Sequence, residues 1–314
     1  MHVVRTFEEL ARTAPHACLA IGVFDGVHLG HQRVIGQARD DARKSGGTSV
    51  VLTFDPHPMR VLQPDRAPQL LTSTEHKLAL IENLGVDACL VLTFDRAFSL
   101  QPPEQFIDTV ARTMNPLQEI CVGTRFRFGH KRAGDVRLIE TLAPKYGFAA
   151  REIKPVVLEH EMISSTAIRQ HVLGGRLDRA AAMLGRPFSV LGTVEPGDHR
   201  GRELGFPTAN LNPHNEVLPP DGVYVARAVI GRELRGGVVN IGVRPTFADR
   251  APARILEIHL LDFDRDVYDQ DVDVQFLQKL RDEKKFASAE VLKTQIAGDI
   301  QAARAILKTP GGNR

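Results

Sequence analysis

Short apolar runs alternate with amphipathic stretches through the first half of the chain. The apolar runs cover residues 17–23, 48–54, 86–94, 119–122 and 149–157. Apolar positions at helical spacing cover residues 32–44, 77–84, 104–113 and 135–146. Short apolar runs predict buried strands, and spacings of three or four predict helices. Strands separated by helices form a parallel sheet covered on both faces. The first half is therefore predicted to be an α/β domain.

The pattern changes after the Gly-Arg-Pro sequence at residues 185–187, where the strand-like runs lengthen and turns replace helices. Strands are predicted at residues 188–194, 222–229, 237–241, 254–263 and 271–276, and an amphipathic helix at 288–307. Consecutive strands of this kind predict an antiparallel barrel or a sandwich. We therefore predict two domains, residues 1–186 and residues 187–314.

The sequence IGVFDGVHLGH, residues 21–31, stands between a predicted strand and a predicted helix. Glycine recurs there at every fourth position, at Gly22, Gly26 and Gly30. Main-chain N–H groups at the start of a helix bind anions, and glycine allows a phosphate to approach closely. Together with His28 and His31, the turn predicts a nucleotide triphosphate site. A zinc site with His57 as third ligand and a turn without function remain alternatives.

Two more polar loops follow predicted strands of the first domain. The sequence DPHP, residues 55–58, contains two prolines, so we expect neither strand nor helix to continue there. Residues 123–135, GTRFRFGHKRAGD, combine basic and aromatic side chains. Such a loop suits a ligand with a phosphate and a flat ring, although a solvated surface loop is the alternative. Ligands bind beyond the carboxyl ends of parallel strands, so we expect the three loops to meet there.

The sequence ISSTAIR, residues 163–169, has two interpretations. Its Ser and Thr side chains can cap the following helix. They can also contact phosphate oxygens together with the guanidinium group of Arg169. Both uses involve the start of a helix and are compatible with each other.

The second domain has its own polar loop, residues 197–211, with two oxygen donors near its end. Thr208 and Asn210 are neutral oxygen ligands of the type that magnesium accepts beside phosphate and water. Glu257 shares one face of a predicted strand with Ile255 and His259. A carboxylate on a mostly apolar face can act as a general base. A solvent-facing Glu257 on an edge strand is the alternative.

Composition narrows the class of protein. The 314 residues include 43% hydrophobic ones, and the 40 basic and 38 acidic residues nearly balance, so no bulk charge favours nucleic acid or an anionic membrane. Cys18, Cys89 and Cys121 lie in apolar runs without a spacing motif, which predicts buried, reduced thiols in a cytoplasmic protein. We expect neither a signal peptide nor a transmembrane segment. Small molecules are the expected partners, and weak self-association is left open.

The motifs, taken in order, resemble those of the bacterial bifunctional riboflavin kinase/FMN adenylyltransferases, also called prokaryotic FAD synthetases. The matching motifs of the first half are GVFDGVHLGH (22–31), TFDPHP (53–58), FRFG with the downstream AGD (126–135) and ISSTAIR (163–169). Those of the second half are GRELGFPTANL (201–211), DGVY (221–224), NIGVRPTF (240–247) and LEIHLLDF (256–263). The ordered set spans nearly the whole chain and is far more specific than any one motif.

The resemblance implies a Rossmann-like nucleotidyltransferase domain followed by an antiparallel β-barrel domain with a terminal helix. It implies that the second domain phosphorylates riboflavin to FMN with ATP, with Glu257 as the base. It implies that the first domain transfers the adenylyl group of a second ATP to FMN, which yields FAD and pyrophosphate. Mg²⁺ is the implied cofactor, held in the kinase site by Thr208 and Asn210. His28, His31 and Arg169 are the implied catalytic residues of the first domain.

The resemblance also implies two sets of binding residues. ATP and its phosphates are expected to contact Gly22, Phe24, Asp25, Gly26, Gly30, Ser164, Ser165, Thr166, Gly201, Gly205 and Pro207. The flavin is expected to contact Phe54, Pro56, His57, Pro58, Arg125, Phe126, Phe128 and Asp135.

Two positions depart from the family pattern. Arg125 stands where the family usually has Asn or Asp, and it can donate hydrogen bonds but cannot accept them. This departure supports an alternative, a monofunctional riboflavin kinase with an inactive N-terminal module. Asp269 stands where glycine is usual, and Asp tolerates a positive φ better than most residues. A flavin- or nucleotide-binding protein without catalysis is a third hypothesis, which Thr208, Asn210 and Glu257 oppose.

Overall fold

The computed structural model describes residues 1–114, 116–197, 201, 204–243 and 254–308, which form two compact units. The first unit contains residues 1–69 and 74–164, and the second contains residues 70–73 and the chain from residue 165 onward.

A six-stranded parallel sheet lies at the centre of the first unit, in the order β1-β4-β3-β2-β5-β6. The strands are β1 (His2–Val4), β2 (Ala17–Ile21), β3 (Thr48–Asp55), β4 (Ala88–Thr93), β5 (Leu117–Gly123) and β6 (Ala149–Ile153). Every residue of β2 is buried, as expected for a central strand with both faces covered. The predicted parallel α/β domain is confirmed, and the short edge strand β1 is an element that the sequence pattern did not indicate.

Helices cover both faces of this sheet. They are α1 (Phe7–Thr13), α2 (Leu29–Ser45), α3 (Pro58–Leu62), α4 (Thr74–Glu82), α5 (Arg96–Ser99), α6 (Pro103–Thr113) and α7 (Val136–Tyr146). One apolar cluster joins Leu19 and Ile120 of the sheet to α1, α6 and α7, and a second joins Cys18 and Val51 to α2 and α4. A small antiparallel pair, β7 (Val157–Leu158) and β8 (Glu161–Met162), completes the unit.

Helix α3 corrects the expectation that no helix could follow the DPHP sequence. Pro58 occupies its first turn, where a missing main-chain N–H group leaves no intrahelical hydrogen bond unmade. The side chain of His57 caps this helix by accepting a hydrogen bond from the N–H of Met59 at 3.1 Å.

The second unit is a closed antiparallel barrel in the order β10-β13-β12-β11-β14-β9, which decides between the barrel and the sandwich. Its strands are β9 (Phe188–Glu195), β10 (Ala209–Pro213), β11 (Gly222–Ile230), β12 (Glu233–Val243), β13 (Arg254–Leu260) and β14 (Asp271–Arg281). Its helices are α8 (Ser165–Leu173), α9 (Leu177–Leu184) and α10 (Ala289–Lys308). Asn210 therefore lies on a strand, although the sequence placed it in a loop.

A short segment, residues 70–73, belongs to the second unit although its neighbours in the chain belong to the first. Its Leu70 N–H group donates to the Glu216 carboxylate at 2.7 Å, and the buried Asn215 amide donates to the carbonyl of Leu71. Because single side chains make these contacts, no periodic pattern in the sequence predicts them. The domain boundary near residue 186 stays a prediction, since α8 and α9 belong to the second unit.

The three cysteines are buried and unpaired, as expected. Burial raises the pKa of the Cys89 thiol to about 12, which keeps it protonated and unreactive. Among the described residues, no helix is both long and apolar enough to span a bilayer. Asp269 has a φ of 58°, so the position that departs from the family's glycine adopts the left-handed conformation that Asp tolerates.

Candidate active sites

The strand order of the first unit creates a place for a ligand. From β2 the chain adds β3 and β4 on one side, and then adds β5 and β6 on the other. The carboxyl ends of β2 and β5 flank this reversal, where ligands bind in open parallel sheets. The glycine turn that follows β2, residues 22–28, is called here the elbow, and the loop of residues 123–135 follows β5.

His28 and His31 form a pair at the end of the elbow. His28 caps α2 because its Nδ1 accepts a hydrogen bond from the main-chain N–H of His31 at 3.2 Å. The two rings are stacked, with centroids 3.5 Å apart and an interplanar angle of 18°. Since Nδ1 accepts, a neutral His28 carries its proton on Nε2. The elbow thus presents imidazole groups and main-chain N–H groups at one helix start.

The elbow holds an uncommon backbone. Phe24 and Val27 have φ values of 55° and 41°, and Gly26 between them has a φ of 80°. Positive φ at a β-branched residue such as Val27 is strained, and such strain concentrates at functional sites. A Cβ at Gly30 would lie 3.1 Å from Cε1 of His28, so glycine here makes room for the stacked imidazole. A Cβ at Gly22 would similarly lie 2.8 Å from the Phe24 ring. The sequence explained these glycines by phosphate approach alone.

Burial, the neighbouring His28 and the ammonium group of Lys77 hold the pKa of His31 well below its usual value. His31 is therefore neutral at neutral pH in the ligand-free protein. Its Nδ1 is buried without a hydrogen-bond partner among the described residues. An anionic ligand beside this ring would raise its pKa and supply acceptors. Binding of an anion is therefore expected to favour protonation of His31.

The zinc alternative is not supported by the geometry. In the part of the chain that the structure describes, one group of three His, Cys, Asp or Glu ligand atoms is compact enough to hold a metal. It consists of Asp41, Glu119 and Cys121, and it includes none of the three histidines that the alternative requires. Arg151, which is exposed, donates to Glu119 of this group at 2.5 Å, so the two acidic residues form part of an ion-pair cluster.

A cavity of about 500 Å³ opens beside the elbow and is lined by Val23 together with residues that follow β3, β4 and β5. The predicted flavin-binding residues on its wall are Phe54, His57, Pro58, Arg125, Phe126 and Phe128. Two others, Pro56 and Asp135, do not line it. Asp135 caps α7 by accepting a hydrogen bond from the Leu138 N–H group at 3.2 Å.

The cavity wall is aromatic. Phe126 stacks on Phe128 with centroids 5.3 Å apart and an angle of 17°, and Phe106 lies 5.8 Å from Phe128. Phe94 and Phe98 extend this wall toward Phe54. Sequence reasoning missed Phe94, Phe98 and Phe106, although their place directly after β4 and on the following helices was a signal. Arg125, Arg127 and Arg132 supply positive charge on the same cavity, so it suits a flat ring with an anionic tail.

The residues of the ISSTAIR sequence lie on both units. Ser164 ends the first unit, and Ser165 begins α8 in the second. Thr166 is exposed and Arg169 is half-buried on the same helix. Their predicted meeting with the phosphates held by His28 and His31 stays a prediction.

In the barrel, three polar side chains stand directly opposite one another on adjacent strands. Glu257 on β13 pairs in register with Asn210 on β10 and with Asn240 on β12. All three line a cavity of about 450 Å³. Since β13 has a neighbour on each side, the alternative of an edge strand for Glu257 is wrong. Glu257 is half-buried and alternates along β13 with the buried Leu256 and Ile258.

Thr208 lies between this cavity and a second one of about 360 Å³. The second cavity is lined by Pro207, Thr208 and the polar segment of residues 263–268. A Cβ at Gly201 would lie 2.9 Å from the Thr208 hydroxyl oxygen, and Gly205 has a φ of 86° in the turn that precedes Pro207. The predicted phosphate-binding glycines thus shape the loop that carries Thr208. Two cavities that share one hydroxyl suit a transfer between two substrates.

Sequence reasoning missed two residues of this site. His259 Nδ1 donates to the carbonyl oxygen of Pro207 at 2.8 Å and so fixes the Thr208 loop against β13. Asn240 is the first residue of the NIGVRPTF motif, but the sequence alone indicated no role for it. The larger cavity is closed on another side by Arg281, whose Nε donates to the buried Asp299 carboxylate of α10 at 3.0 Å.

Thr208 and Asn210 fit a magnesium ion by the chemistry of their donors. Both offer neutral, hard oxygen atoms toward the same cavity, and Mg²⁺ takes such ligands together with phosphate oxygens and water. The carboxylate of Glu257 lies opposite Asn210 and adds the negative charge that a dication needs nearby.

Comparison with known proteins finds one family model for the first part of the chain and another for the second. Residues 10–167 match the family model described as FAD synthetase, and residues 184–307 match the one described as riboflavin kinase. A Haemophilus influenzae protein named bifunctional riboflavin kinase/FMN adenylyltransferase is 35% identical over 98% of this chain and 100% of its own length. A Pseudomonas fluorescens protein of the same name is 38% identical over 100% of both chains.

A solved structure from Streptococcus pneumoniae, described as a macrolide-efflux protein, shares the fold. It has a TM-score of 0.82 and 30% identity, and the match covers 97% of this chain and 99% of that one. Two family models in the expected order and relatives that match over the full length agree with the two sites. The chain belongs to the family of bifunctional riboflavin kinase/FMN adenylyltransferases.

Proposed function

We propose that this chain phosphorylates riboflavin to FMN in the barrel and adenylylates FMN to FAD in the α/β unit. The observation that carries the proposal is that each unit has its own cavity beside its own phosphate-binding groups. The aromatic cavity adjoins the elbow with His28 and His31, and the barrel cavity adjoins Thr208 and Glu257. Residues near 186 form the proposed boundary between the two catalytic modules.

In the kinase reaction, the 5′-hydroxyl of riboflavin attacks the γ-phosphorus of ATP, and ADP leaves. A neutral alcohol is a weak nucleophile, so Glu257 takes its proton. The larger cavity has apolar walls from Phe206, Ile255 and Phe286 and suits the flavin ring. The smaller cavity beyond Thr208 suits the nucleotide. Thr208 and Asn210 would hold Mg²⁺, which would supply positive charge beside the transferring phosphoryl group.

In the adenylylation reaction, a phosphate oxygen of FMN attacks the α-phosphorus of ATP, and pyrophosphate leaves. The nucleophile is already an anion, so no side chain needs to remove a proton. Catalysis then depends on alignment and on charge neutralisation. His28 and His31 stabilise the phosphates, and the stacked Phe126 and Phe128 hold the flavin ring.

The monofunctional alternative is not favoured, because the family model for FAD synthetase matches residues 10–167 and the full-length relatives carry the name of the bifunctional enzyme. Arg125, which motivated that alternative, lies on the wall of the aromatic cavity with Arg127 and Arg132. There it adds positive charge beside the predicted position of the FMN phosphate, in place of the family's usual acceptor.

Chromatography of the flavins tests the proposal directly. The protein is incubated with riboflavin, ATP and Mg²⁺, and the flavins are separated over time. We expect FMN to appear first and FAD to follow. Accumulation of FMN without FAD, even when FMN is added, would contradict the adenylylation half. The absence of FMN would contradict the kinase half.

A further inference from the structure

Lys77 of α4 is buried beside the elbow and belongs to none of the sequence motifs. Its side chain is 5% exposed, and its Nζ donates to the carbonyl oxygens of Val23 at 3.4 Å and Phe54 at 3.3 Å. Val23 opens the elbow after β2, and Phe54 stands near the end of β3, before the DPHP loop. One ammonium group therefore links the backbone of the elbow to the backbone at the end of β3.

A buried ammonium without an ion-pair partner is costly. The two hydrogen bonds that Lys77 Nζ donates to Val23 and Phe54 go to neutral carbonyl groups. Asp25 on the elbow, Asp55 at the end of β3 and Glu75 on α4 are the carboxylates whose negative charge favours the ammonium form, and the Cys89 thiol on β4 also faces Lys77 but stays protonated. Burial nevertheless lowers the pKa of Lys77.

The positive charge of Lys77 also affects the pKa of His31. Lys77 is one of the two groups whose positive charge lowers the pKa of His31, the other being His28. Lys77 does not line the aromatic cavity, so it does not act by touching the flavin. The Val23 carbonyl also accepts a hydrogen bond from the buried Thr53 hydroxyl at 3.0 Å, so the start of the elbow is held from β3 and from α4 together.

We propose that Lys77 is a positioning residue for adenylyl transfer, which fixes the elbow relative to the end of β3 and keeps a buried positive charge near His31. This inference rests on the proposed adenylylation activity. Attack on the α-phosphorus requires two anionic substrates in line, and an error of about 1 Å costs on the order of 10²-fold in rate. The ammonium group fixes this separation through two main-chain atoms and counteracts the repulsion between the substrates.

The test compares Lys77→Met with Ile81→Val in the full-length protein. Ile81 is fully buried on the same helix, so Ile81→Val is a packing control without a charge change. We expect Lys77→Met to lower kcat for conversion of FMN to FAD by about 10²-fold. Ile81→Val should leave it within about twofold, and riboflavin phosphorylation by the second unit should be unchanged in both variants. Equal loss in both variants would show a packing role only.

A second readout does not depend on turnover. The Cε1–H resonance of His31, assigned with His31→Gln, is titrated by NMR in the ligand-free protein. We expect its pKa to move up toward the ordinary value in Lys77→Met and to stay low in Lys77→Arg, which retains the charge. An unchanged pKa of His31 in Lys77→Met would overturn the proposal that Lys77 acts through its charge. Thr53→Val, which removes the other donor to Val23 but no charge, should lower kcat without moving this pKa.

The two proposals fail in different ways. If the wild-type protein makes no FAD from FMN, the proposed adenylylation activity is wrong whatever the variants do. If the wild type makes FAD and Lys77→Met makes it equally fast, the assignment of Lys77 is wrong and the activity stands. If Lys77→Met does not fold, Lys77→Gln, which retains hydrogen-bond donors without the charge, replaces it in both assays.

Discussion

His28 and His31 lie with their rings stacked 3.5 Å apart, and the main-chain N–H of His31 donates to Nδ1 of His28. Two imidazoles so close cannot easily both be charged, which agrees with the lowered pKa of His31. Bound triphosphate changes this balance, because its negative charge favours protonation. His31 is therefore neutral in the free protein and gains positive charge when an anion arrives.

The first prediction concerns the two histidines and FAD formation. Replacing both in His28→Ala/His31→Ala should lower kcat for FAD formation by about 10³-fold or more, because the phosphates lose two stabilising groups. Phosphorylation of riboflavin should continue at the normal rate and serves as the internal control for folding. A double variant that makes FAD at the wild-type rate would show that the elbow is not the phosphate site of adenylylation.

The second prediction concerns the pH dependence of stability. His31 has a lower pKa in the folded state than the usual value near 6.5, so below that pH the unfolded chain takes up a proton that the folded chain does not. This group therefore destabilises the fold increasingly as the pH falls below about 6.5. We expect His31→Gln to lose less stability than the wild type between pH 7.5 and 5.5, measured by urea unfolding. An identical loss in both proteins would show that His31 titrates normally.

The third prediction uses two glycines of α2. A Cβ at Gly36 meets nothing within 4 Å, whereas one at Gly30 presses on the His28 ring. Gly36→Ala should therefore stabilise the protein by about 0.5–1 kcal/mol through helix propensity and leave FAD formation unchanged. Gly30→Ala should reduce FAD formation, because the imidazole must move. Thermal unfolding measures the stability of both variants, and the flavin assay measures their rates of FAD formation. If Gly30→Ala made FAD as fast as Gly36→Ala, the reaction would tolerate a displaced His28 ring.

The fourth prediction separates the two flavin cavities. Phe126→Ala removes the ring that stacks on Phe128, and we expect the KM for FMN in adenylylation to rise about five- to tenfold. Phe206→Ala in the barrel cavity should instead raise the KM for riboflavin in phosphorylation. Each variant is the control for the other. If Phe126→Ala raised the riboflavin KM, the assignment of the cavities would be reversed.

The fifth prediction concerns the polar row across the barrel. Glu257→Gln should lower riboflavin phosphorylation by about 10²–10⁴-fold, because the hydroxyl keeps its proton. Asn240 stands opposite Glu257, where paired Cβ atoms are about 4.5–5.5 Å apart, so Asn240→Ala should lower kcat about tenfold and shift the pH profile. Asn212→Ala is the matched control, since Asn212 bonds to Glu195 outside the cavity. FAD formation from added FMN should be normal in all three variants.

The local pattern was sufficient for most of the fold. Apolar runs and helical spacings located the central strands and the helices α2, α4, α6, α7 and α10, because each must bury one face or both. The convergence of loops beyond the carboxyl ends of the strands followed from parallel topology, and the aromatic cavity, with walls that follow β3, β4 and β5, is the result. The strands β1 and β10 and the helices α1, α3, α5 and α9 are among the elements that the pattern missed, and all of them are short, so they carry few residues for a periodic signal.

The individual roles within the sites needed the tertiary structure. The sequence alone placed His28, His31, Thr208 and Glu257 at sites of phosphate chemistry, since their residue types and neighbours are local facts. Only the fold showed that Asn240 stands opposite Glu257, that Phe106 lies against Phe128, and that Lys77 donates to two strand ends. Those relationships join residues distant in the chain, and barrel register, ring packing and buried hydrogen bonds are set by how the elements meet. No periodicity along the chain records them.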